Sequence, residues 1–352
     1  NNLMVCCPSY GEKTSLNNAK FTTHRINFIG GKSFKKIPLA QYIYGLFKIK
    51  KIIKSFKPEK IFYLGEEAEI IGGLLNEKEI DQVVRIAGSG IESIIKSNSI
   101  KKILPKFLLK RLYKNSQYII AVSKNTKKLM EQENDFFSKE KIKLIYNGID
   151  KDFLDKDIDL SLIAKFKESN ETFIILTVSR LLPRKGQDHV IRALSKIKNK
   201  NIKYLCVGEG SHKEKYKSLV KSSNLKNNVV FIGGIDRSDI HKYYDCADIF
   251  ILCNRTWNSK IEGLPNVAIE SMARSTPVIG SKNSGTEEVI KDNINGYLVD
   301  PENIDDIAAK IKTAFSDKKR LKTMGDSAKI HIEENFSFKE MKSNYLRLFC
   351  NE

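Results

Sequence analysis

Short apolar runs rich in β-branched residues alternate with longer amphipathic stretches along the whole chain. Consecutive strands of a parallel sheet need a crossover connection, which is usually a helix, so this alternation predicts doubly wound α/β structure. The same rhythm restarts after the polar, charge-dense stretch 155–171. A chain of 352 residues is also long enough for two domains. The sequence therefore predicts two α/β domains with parallel sheets.

The predicted elements follow from the apolar periodicity. In the first half of the chain, the predicted strands are Leu3–Pro8, Ile26–Ile29, Lys60–Leu64, Gln82–Ala87, Tyr118–Val122 and Lys143–Ile145. In the second half, they are Phe173–Val178, Tyr204–Val207, Val229–Ile232, Ile249–Cys253, Val278–Gly280 and Tyr297–Val299. The predicted helices are Leu39–Phe56, Lys101–Lys114, Lys185–Lys196, Ser211–Ser222, Asp236–Cys246 and Asn266–Ala273.

The domain boundaries are placed where this pattern breaks. Residues 1–154 are predicted to form the first domain, 155–171 the linker and 172–334 the second domain. Residues 335–352 are predicted to form a helix that crosses back to the first domain. Two similar α/β domains joined in this way usually bind their ligand between them. We therefore expect a ligand-binding cleft between the domains.

Composition and cysteine usage argue against several classes of protein. The longest apolar runs are far shorter than the roughly 18 residues that a transmembrane helix needs. No charged segment followed by an apolar one opens the chain, so we expect no secretory signal. The six cysteines form no CxxC pair, which indicates reduced thiols rather than a zinc site or a disulfide framework. We therefore expect a cytoplasmic protein.

The net charge of +19 is concentrated in the first domain. Residues 1–150 hold 27 Lys and Arg against 14 Asp and Glu, whereas the remainder holds 34 against 28. One interpretation is a base composition that favours Lys codons, with most lysines simply facing water. The other is a positive face that attracts an anionic partner. Both interpretations stay open at this point.

Two cations flank a predicted strand-to-helix turn in the second domain. Arg180 follows the strand that ends at Val178, and Lys185-Gly186 opens the next predicted helix. Arginine supplies a bidentate fork, lysine a point charge, and the helix N-terminus free N–H groups. The pattern predicts an anion-binding site, and the alternative is an ordinary basic surface turn.

Two carboxylates flank another predicted helix start. Glu262 precedes a helix that we expect to begin near Pro265 or Asn266, and Glu270 lies about one turn into it. One carboxylate can contact a sugar and the other a ribose, with a phosphate held at the helix N-terminus between them. The alternative is a solvated loop residue and a surface or capping acid.

Taken together, the motifs resemble those of the retaining glycosyltransferases of family four, which have the GT-B fold and use nucleotide sugars. In the family's order and spacing, the motifs are Ser179-Arg180-Leu181 with Lys185-Gly186, Val207-Gly208-Glu209-Gly210, Phe231-Ile232-Gly233, Ala247-Asp248, Glu262 with Glu270, and Ser284-Gly285-x-x-Glu288. Asn147-Gly148-Ile149-Asp150 with Phe153 resembles the family's hinge segment. The run from Arg180 to Asp188, with Arg255, is similar to the mannosyltransferase-like branch. The resemblance covers residues 118–352.

The resemblance implies two Rossmann-like domains that face each other across a cleft. It implies that Arg180 and Lys185 hold the donor diphosphate and stabilise charge on the leaving group, and that Glu262 is the carboxylate beside the donor sugar. Glu270 matches the carboxylate that binds the nucleotide ribose. The other implied nucleotide-sugar contacts are Gly263, Leu264, Pro265, Asn266, Val267 and Gly233. Family enzymes need neither a metal nor another cofactor.

The implied activity is transfer of a hexose from a UDP- or GDP-sugar to a hydroxyl of a saccharide or lipid-linked acceptor on the first domain, in surface polysaccharide or glycolipid synthesis. Two positions depart from the family pattern. Ala87 stands where the family often has a His that contacts the donor sugar, although Gly88 matches the following Gly. The Gly-rich loop after the first strand has no match, which predicts that the chain lacks its start. A sugar nucleotide epimerase and a catalytically weak binding subunit are the alternatives.

Three further patterns carry less weight. Asp155, Asp157 and Asp159 form a DxDxD string, but they lie in the predicted linker, so we expect a solvated acidic linker and no metal site. Gly88 and Gly90 lack the third glycine of a dinucleotide fingerprint. The basic segment 101–128 holds too few aromatic residues to support nucleic-acid binding.

The predicted helix Lys101–Lys114 is amphipathic. Its apolar face holds Ile103, Leu104, Phe107, Leu108 and Leu112, with Leu109 at the border, and the other side holds Lys101, Lys102, Lys106, Lys110 and Lys114. The apolar face is expected to pack on its own domain. The lysines can still attract anionic lipid, each adding about 1 kcal/mol near the surface. We therefore predict peripheral, salt-sensitive association with the inner face of a membrane.

Overall fold

The computed structural model of the protein describes residues 3–8, 22–26, 40–87, 94–95, 97, 99–167, 169, 171–256 and 263–350. The chain forms two compact units. The first comprises Asn1–Ile120 and Leu129–Lys143, and the second comprises Ala121–Lys128 and Leu144–Glu352. The second unit therefore includes a short piece of chain, residues 121–128, that interrupts the first.

The first unit contains two sheets. Strands β1 (Met4–Pro8) and β2 (Thr22–Ile26) pair in parallel. Strands β3 (Lys60–Leu64), β4 (Asp81–Ile86), β5 (Tyr118–Ala121) and β6 (Ile142–Leu144) form a sheet in that order, with β3 and β4 parallel. The helices are α1 (Ala40–Phe56), α2 (Glu66–Leu75), α3 (Ile103–Asn115) and α4 (Lys124–Gln132), with 3-10 turns at Ile100–Lys102 and Lys139–Lys141. Helix α4 begins in the second unit and ends in the first.

A buried acid joins two helices of the first unit. Glu69 of α2 is only 5% exposed, and its carboxylate accepts a hydrogen bond of 2.5 Å from the Tyr113 hydroxyl of α3. Burial disfavours the charged form and raises the pKa of Glu69 to about 7. The hydrogen bond opposes this rise without cancelling it.

The second unit is built on one six-stranded sheet. Its strands are β7 (Phe173–Val178), β8 (Ile202–Val207), β9 (Val229–Gly233), β10 (Ile249–Leu252), β11 (Val278–Ser281) and β12 (Gly296–Val299). The order is β12-β11-β10-β7-β8-β9, and every neighbouring pair is parallel. Alternate residues of β7 enter the two cores on opposite faces of the sheet: Phe173 and Ile175 enter one, and Ile174 and Leu176 enter the other.

The helices of the second unit cover this sheet. They are α5 (Lys151–Leu154), α6 (Leu160–Phe166), α7 (Gln187–Ile197), α8 (Lys213–Ser222), α9 (Ile240–Cys246), α10 (Asn266–Ala273), α11 (Ile304–Ser316), α12 (Lys318–Asn335) and α13 (Phe338–Cys350), with 3-10 turns at Pro183–Lys185 and Gly285–Glu288. Among the described residues, no helix has both the length and the apolar character needed to cross a membrane.

The strand order places a crevice at the centre of this sheet. The chain proceeds outward from β7 to β9 and then returns to β10 on the other side of β7, where Ile249 pairs with Ile175. Ligands of open parallel sheets bind outside the carboxyl ends of the strands at such a reversal. The residues that follow Val178 and Leu252 therefore lie where a ligand is expected.

Most of the predicted elements are present, and several bounds differ. The predicted strand Ile26–Ile29 shares Ile26 with β2, which covers Thr22–Ile26, and its residues 27–29 lie outside the described residues. The helix predicted from Lys185 begins at Gln187, since Gly186 adopts a left-handed conformation that ends the preceding 3-10 turn. The helix predicted from Asp236 begins at Ile240.

The compact units divide the chain differently from the predicted domains. The predicted first domain was residues 1–154, whereas residues 121–128 and 144–154 belong to the second compact unit. The C-terminal helix is present as Phe338–Cys350, and the segment before it pairs with Ile149: the Ile149 N–H donates to the Phe336 carbonyl at 2.7 Å. The crossing of this helix to the first domain stays a prediction.

Candidate functional site

The turn after β7 carries the first predicted cation. The N–H of Ser179 donates to the Val207 carbonyl and the N–H of Leu181 donates to the Glu209 carbonyl, both at 3.0 Å. These bonds hold the turn on the neighbouring strand end, while the side chain between them, Arg180, is exposed to solvent. A guanidinium in this position can approach an anion outside the sheet.

The second predicted cation lies on the next turn. Lys185 ends the 3-10 turn Pro183–Lys185 and is only 8% exposed. Gly186 follows with φ 73°, and a Cβ there would lie 2.0 Å from the Cys253 carbonyl oxygen, so this position needs a glycine. Because Gly186 has no side chain, the Lys185 turn packs directly against Cys253, the residue that follows β10.

Arg255 clamps the same turn from the β10 side. Its guanidinium Nε donates to the Pro183 carbonyl at 3.1 Å, and its Nη2 donates to the Asp188 carboxylate at 2.9 Å. Its Nη1 lies 2.6 Å from Nε2 of His189, and its backbone N–H donates to the Arg184 carbonyl at 2.8 Å. The Lys185 turn is therefore fixed at both of its ends.

The helix after β10 begins as the sequence predicts. Helix α10 starts at Asn266, and Pro265 is its N-cap in an extended conformation. Among the described residues, no side chain caps this end, so its first N–H groups remain available to an anion. Leu264 is buried in the core, and the carbonyl of Gly263 lies against Gly285, where a Cβ would approach it to 2.0 Å.

Glu270 lies one turn into α10 and is 8% exposed. Its Oε2 accepts a hydrogen bond of 2.9 Å from the Tyr244 hydroxyl, and its Oε1 lies 3.9 Å from the exposed guanidinium of Arg237. Burial, together with the Glu270 charge, raises the pKa of Tyr244 well above its usual value. Tyr244 therefore stays protonated, and it fixes one carboxylate oxygen while the other faces the exposed side.

The remaining residues singled out in the sequence lie at the end of β9, at the start of α10, or in or beside segments outside the described residues. Gly233 ends β9 with φ 93°, and its carbonyl accepts from the Gly208 N–H at 2.7 Å. Asn266 is exposed and accepts at Oδ1 a 2.7 Å bond from Asn147 of the predicted hinge segment, and Val267 is half-buried. Glu262 lies outside the described residues, as does Gly88, whereas Ala87 is exposed after β4.

The structure adds residues that sequence reasoning did not assign. Tyr244 gave no signal, because its hydroxyl partner is set by tertiary packing. Asn254 did give one, since a polar residue follows the fully apolar run Ile249–Cys253 at a strand end. Glu288 of the Ser-Gly-x-x-Glu motif accepts at its carboxylate the backbone N–H groups of Lys124 and Asn125 at 2.6 and 2.9 Å. It thereby stabilises the N-terminus of α4.

The DxDxD string has a partly structural role. Asp159 is the N-cap of α6 and accepts the N–H groups of Ser161 and Leu162, each at 3.1 Å. Its other carboxylate oxygen lies 3.5 Å from the Lys242 ammonium. Within the described part of the chain, no group of three or more His, Cys, Asp or Glu side chains is arranged to hold a metal ion. Metal independence stays a prediction.

Two family models match this chain. The Glycosyltransferase Family 4 model matches residues 2–153, and the model Glycosyl transferases group 1 matches residues 161–331, which include every predicted site residue. The chain belongs to the glycosyltransferases. The resemblance to family four read from the motifs is thus confirmed, whereas the retaining mechanism stays a prediction.

Curated relatives of this glycosyltransferase share about 30% of their residues with it. The glycosyltransferase MJ1607 of Methanocaldococcus jannaschii is 31% identical over 240 residues, which are 66% of this chain and 59% of that protein. The GDP-mannose-dependent α-(1-6)-phosphatidylinositol monomannoside mannosyltransferase of Mycolicibacterium smegmatis is 28% identical over 54% of this chain and 52% of its own length. The chain therefore spans between half and three-fifths of these relatives.

Solved structures that are similar to this chain support its fold. Anabaena Alr3699/HepE in complex with UDP has a TM-score of 0.76 at 19% identity, over 94% of this chain and 87% of that one. A glycosyltransferase from Rickettsia africae has the same TM-score at 24% identity, over 98% and 89%. The predicted GT-B class, with two parallel-sheet α/β domains, is confirmed.

Proposed function

We propose that the protein transfers a hexose from a nucleotide diphosphate sugar to an acceptor hydroxyl, with retention of the anomeric configuration. The observation that carries this proposal is the clustering of three features at the strand reversal of one sheet: Arg180, the Lys185 turn, and the start of α10, which no described side chain caps. Each of the three favours bound anions. A diphosphate with a nucleoside on one side and a sugar on the other is the ligand that matches this cluster.

Arg180 and Lys185 stabilise the charge that develops on the departing diphosphate. The C1–O bond of the donor breaks and its electron pair goes to the phosphate oxygen, while the acceptor oxygen forms the new bond to C1 and its proton passes to the departing diphosphate. Cations already fixed near that oxygen lower the barrier without reorganisation. The clamp by Arg255 and the close approach at Gly186 hold Lys185 in place before the donor arrives. No divalent ion is needed for this part of the reaction, and we extend that to the whole protein as a proposal.

Glu270 binds the ribose of the nucleotide. Tyr244 occupies one of its oxygens, which leaves Oε1 to accept from a ribose hydroxyl. Glu262 acts beside the donor sugar, where positive charge develops as the C1–O bond breaks. Glu270 therefore contributes to binding of the donor and the free nucleotide alike, whereas Glu262 contributes to the transition state.

The donor is a UDP- or GDP-sugar. The mycobacterial relative is named for its dependence on GDP-mannose, a Campylobacter jejuni relative for an N-acetylgalactosaminyl transfer, and the HepE structure holds UDP. A thermal-shift panel of UDP- and GDP-sugars identifies the donor. Product analysis by NMR, with and without acceptor, then distinguishes transfer from epimerisation and reports the anomeric configuration. Conversion of the donor to its epimer without acceptor would contradict the proposal.

We also propose that the protein acts on the cytoplasmic side, at an anionic membrane surface that presents a lipid-linked acceptor. The surface involved is the start of α3. The sequence predicted that the apolar face of this helix packs on its own domain along its whole length, and this prediction is wrong for the start of the helix. Leu108 and Leu112 are buried, but Ile103, Leu104 and Phe107 are 62%, 47% and 59% exposed. The packed residues lie in the second half of the helix, where α2 covers it.

Charge complementarity favours lipid as the partner of this exposed face. Lys110 and Lys114 on the same helix are exposed, and the unit that carries them holds most of the excess positive charge. Apolar side chains with lysines beside them bind the headgroup boundary of anionic bilayers.

Liposome co-sedimentation tests the membrane proposal. Phe107→Ser and Lys110→Glu should each reduce binding to anionic vesicles, and high salt should reduce wild-type binding, because charge attraction is screened. Ile294→Ser, at an equally exposed apolar residue of the other unit, is the control and should bind normally. Equal binding to neutral and anionic vesicles, or none to either, would contradict the proposal.

A further inference from the structure

Asn254 lies buried at the strand reversal, and no described residue forms a hydrogen bond with its side chain. It lies two residues after the end of β10, beside β7, and is 3% exposed. Within the described part of the chain, neither its amide nitrogen nor its amide oxygen has a hydrogen-bond partner. Buried polar groups are almost always bonded, so a pair of orphaned atoms on one side chain at a ligand crevice needs an explanation.

The neighbouring chain shows why Asn254 belongs to the site. The Cys253 carbonyl touches Gly186, and the Arg255 N–H donates to the Arg184 carbonyl. The residues on both sides of Asn254 are therefore bound to the turn that carries Lys185.

A third orphaned atom, on a second side chain, lies at the start of α7. Gln187 is 1% exposed, and its Nε2 donates to the Ser179 hydroxyl at 2.7 Å and to the Arg180 carbonyl at 3.1 Å. Its Oε1 has no partner among the described residues. Next to the strand reversal, the described residues thus leave two carbonyl-type acceptors, on Asn254 and Gln187, and one NH2 donor unsatisfied.

This balance of donors and acceptors selects the ligand chemistry. A phosphate only accepts hydrogen bonds, so it would satisfy the Asn254 nitrogen and leave both oxygens orphaned. A hydroxyl group donates one bond and accepts others, and two adjacent hydroxyls can bond both atoms of one carboxamide. The orphaned atoms therefore match sugar hydroxyls better than the diphosphate.

We propose that Asn254 hydrogen-bonds hydroxyl groups of the transferred hexose and so determines which donor sugar is accepted. The proposal rests on the proposed function, since it assumes a nucleotide sugar with its diphosphate at Arg180 and Lys185. It adds to that function a sugar-recognising residue just beyond the carboxyl end of β10. Gln187 supplies a second acceptor and also orients the Arg180 turn.

Asn254→Leu is the informative variant. It keeps the branched shape and the number of side-chain heavy atoms, with two larger methyl groups, and removes both orphaned atoms, so its melting temperature should be unchanged or higher. Isothermal titration should show donor-sugar affinity lowered about tenfold, the order expected for lost hydrogen bonds, while affinity for the free nucleoside diphosphate changes less than about twofold. The free nucleotide carries no hexose, so it reports the rest of the site.

A buried asparagine outside the crevice is the matched control. Asn295 is 1% exposed, its Oδ1 accepts from the Lys291 N–H at 2.7 Å, and its Nδ2 donates to the Val289 carbonyl at 3.3 Å. Asn295→Leu should lower the melting temperature and leave donor affinity unchanged. The two variants should therefore show opposite patterns.

Donors in which one hexose hydroxyl is replaced by hydrogen identify the contact. Wild-type protein should lose affinity for the deoxy donor that lacks the bonded hydroxyl, and Asn254→Leu should not distinguish that donor from the parent sugar. The same deoxy profile in both proteins would overturn the proposal.

Two other outcomes would also overturn it. If Asn254→Leu only lowers the melting temperature and leaves donor affinity intact, Asn254 binds a buried water and has a structural role. If free nucleotide and donor weaken equally, Asn254 contacts the nucleotide instead of the hexose. A wild-type protein that binds no nucleoside diphosphate would contradict the proposed function, and this inference would fall with it.

Discussion

Arg255 is the residue whose removal tests most sharply how the site is held. Its guanidinium bonds to Pro183, Asp188 and His189, all on the chain around Lys185, but it is not proposed to contact the donor. Arg255→Met keeps most of the side-chain length and removes every one of these bonds. The change therefore releases the Lys185 turn without deleting a proposed ligand contact.

The size of the effect follows from burial. The Arg255 side chain is 8% exposed and that of Asp188 is 24% exposed. Removing one partner of a fully buried ion pair costs about 3–5 kcal/mol. Because water can reach the Asp188 carboxylate and solvate its charge, the cost here is smaller, and we expect a loss of about 2–3 kcal/mol in unfolding free energy. Misplacement of Lys185 by about 1 Å should lower kcat up to about 100-fold.

Arg274→Met is the matched control. Arg274 is equally buried, and it bonds to the Asp245 carboxylate at 2.6 Å and to the Leu154 carbonyl at 2.8 Å, away from the Lys185 turn. In urea melts, Arg274→Met should lose at least as much stability as Arg255→Met, because its partner Asp245 is only 4% exposed. At a temperature where both remain folded, only Arg255→Met should bind nucleoside diphosphate about tenfold more weakly by calorimetry. Equal nucleotide affinity in the two variants would refute the role assigned to the clamp.

The other predictions concern the two carboxylates of the site, the buried acid of the first unit and metal dependence. Glu270→Ala should weaken binding of donor and free nucleotide alike, about tenfold, whereas Glu262→Ala should lower kcat with little change in nucleotide affinity. Calorimetry and a transfer assay measure both effects, and the reverse pattern would contradict the assigned roles. The pKa of Glu69 is raised to about 7, so the unfolded chain ionises before the folded one and stability falls as pH rises from about 4.5 to 7. Glu69→Gln should remove this loss, so the free energy of unfolding should rise by as much as about 3 kcal/mol at pH 8 and change little at pH 4. Urea melts at both pH values measure this, and the same difference between variant and wild type at pH 4 and pH 8 would contradict the prediction. Activity should survive dialysis against EDTA, and its restoration only by a divalent ion would refute metal independence.

Local signals predicted the second unit well. All six of its strands follow from apolar runs, because central strands such as β7 and β10 are buried on both faces and so read as continuous hydrophobic sequence, and the half-buried edge strand β9 is apolar as well. The start of α10 at Asn266 follows from Pro265, and the placement of Arg180 follows from its position after β7. These features depend on few residues that are close in sequence.

Features that depend on tertiary contacts were not predictable. Helix α2 was missed, since it contains Gly72 and Gly73 where a helix former is expected, and it is stabilised by packing on α3. The exposed half of α3 was mispredicted because periodicity identifies an apolar face without showing which part is covered. The bonds of Glu270 with Tyr244, and of Arg255 with Asp188, join residues 26 and 67 positions apart.

The most direct test of the central claim is calorimetric titration of UDP and GDP into wild-type protein and into Arg180→Ala and Lys185→Ala. If the diphosphate binds at the strand reversal of the second unit, each variant should bind the preferred nucleotide about 1–3 kcal/mol more weakly. Arg192→Ala, at an exposed arginine of α7, is the control and should bind like the wild type. Unchanged affinity in both site variants would contradict the account.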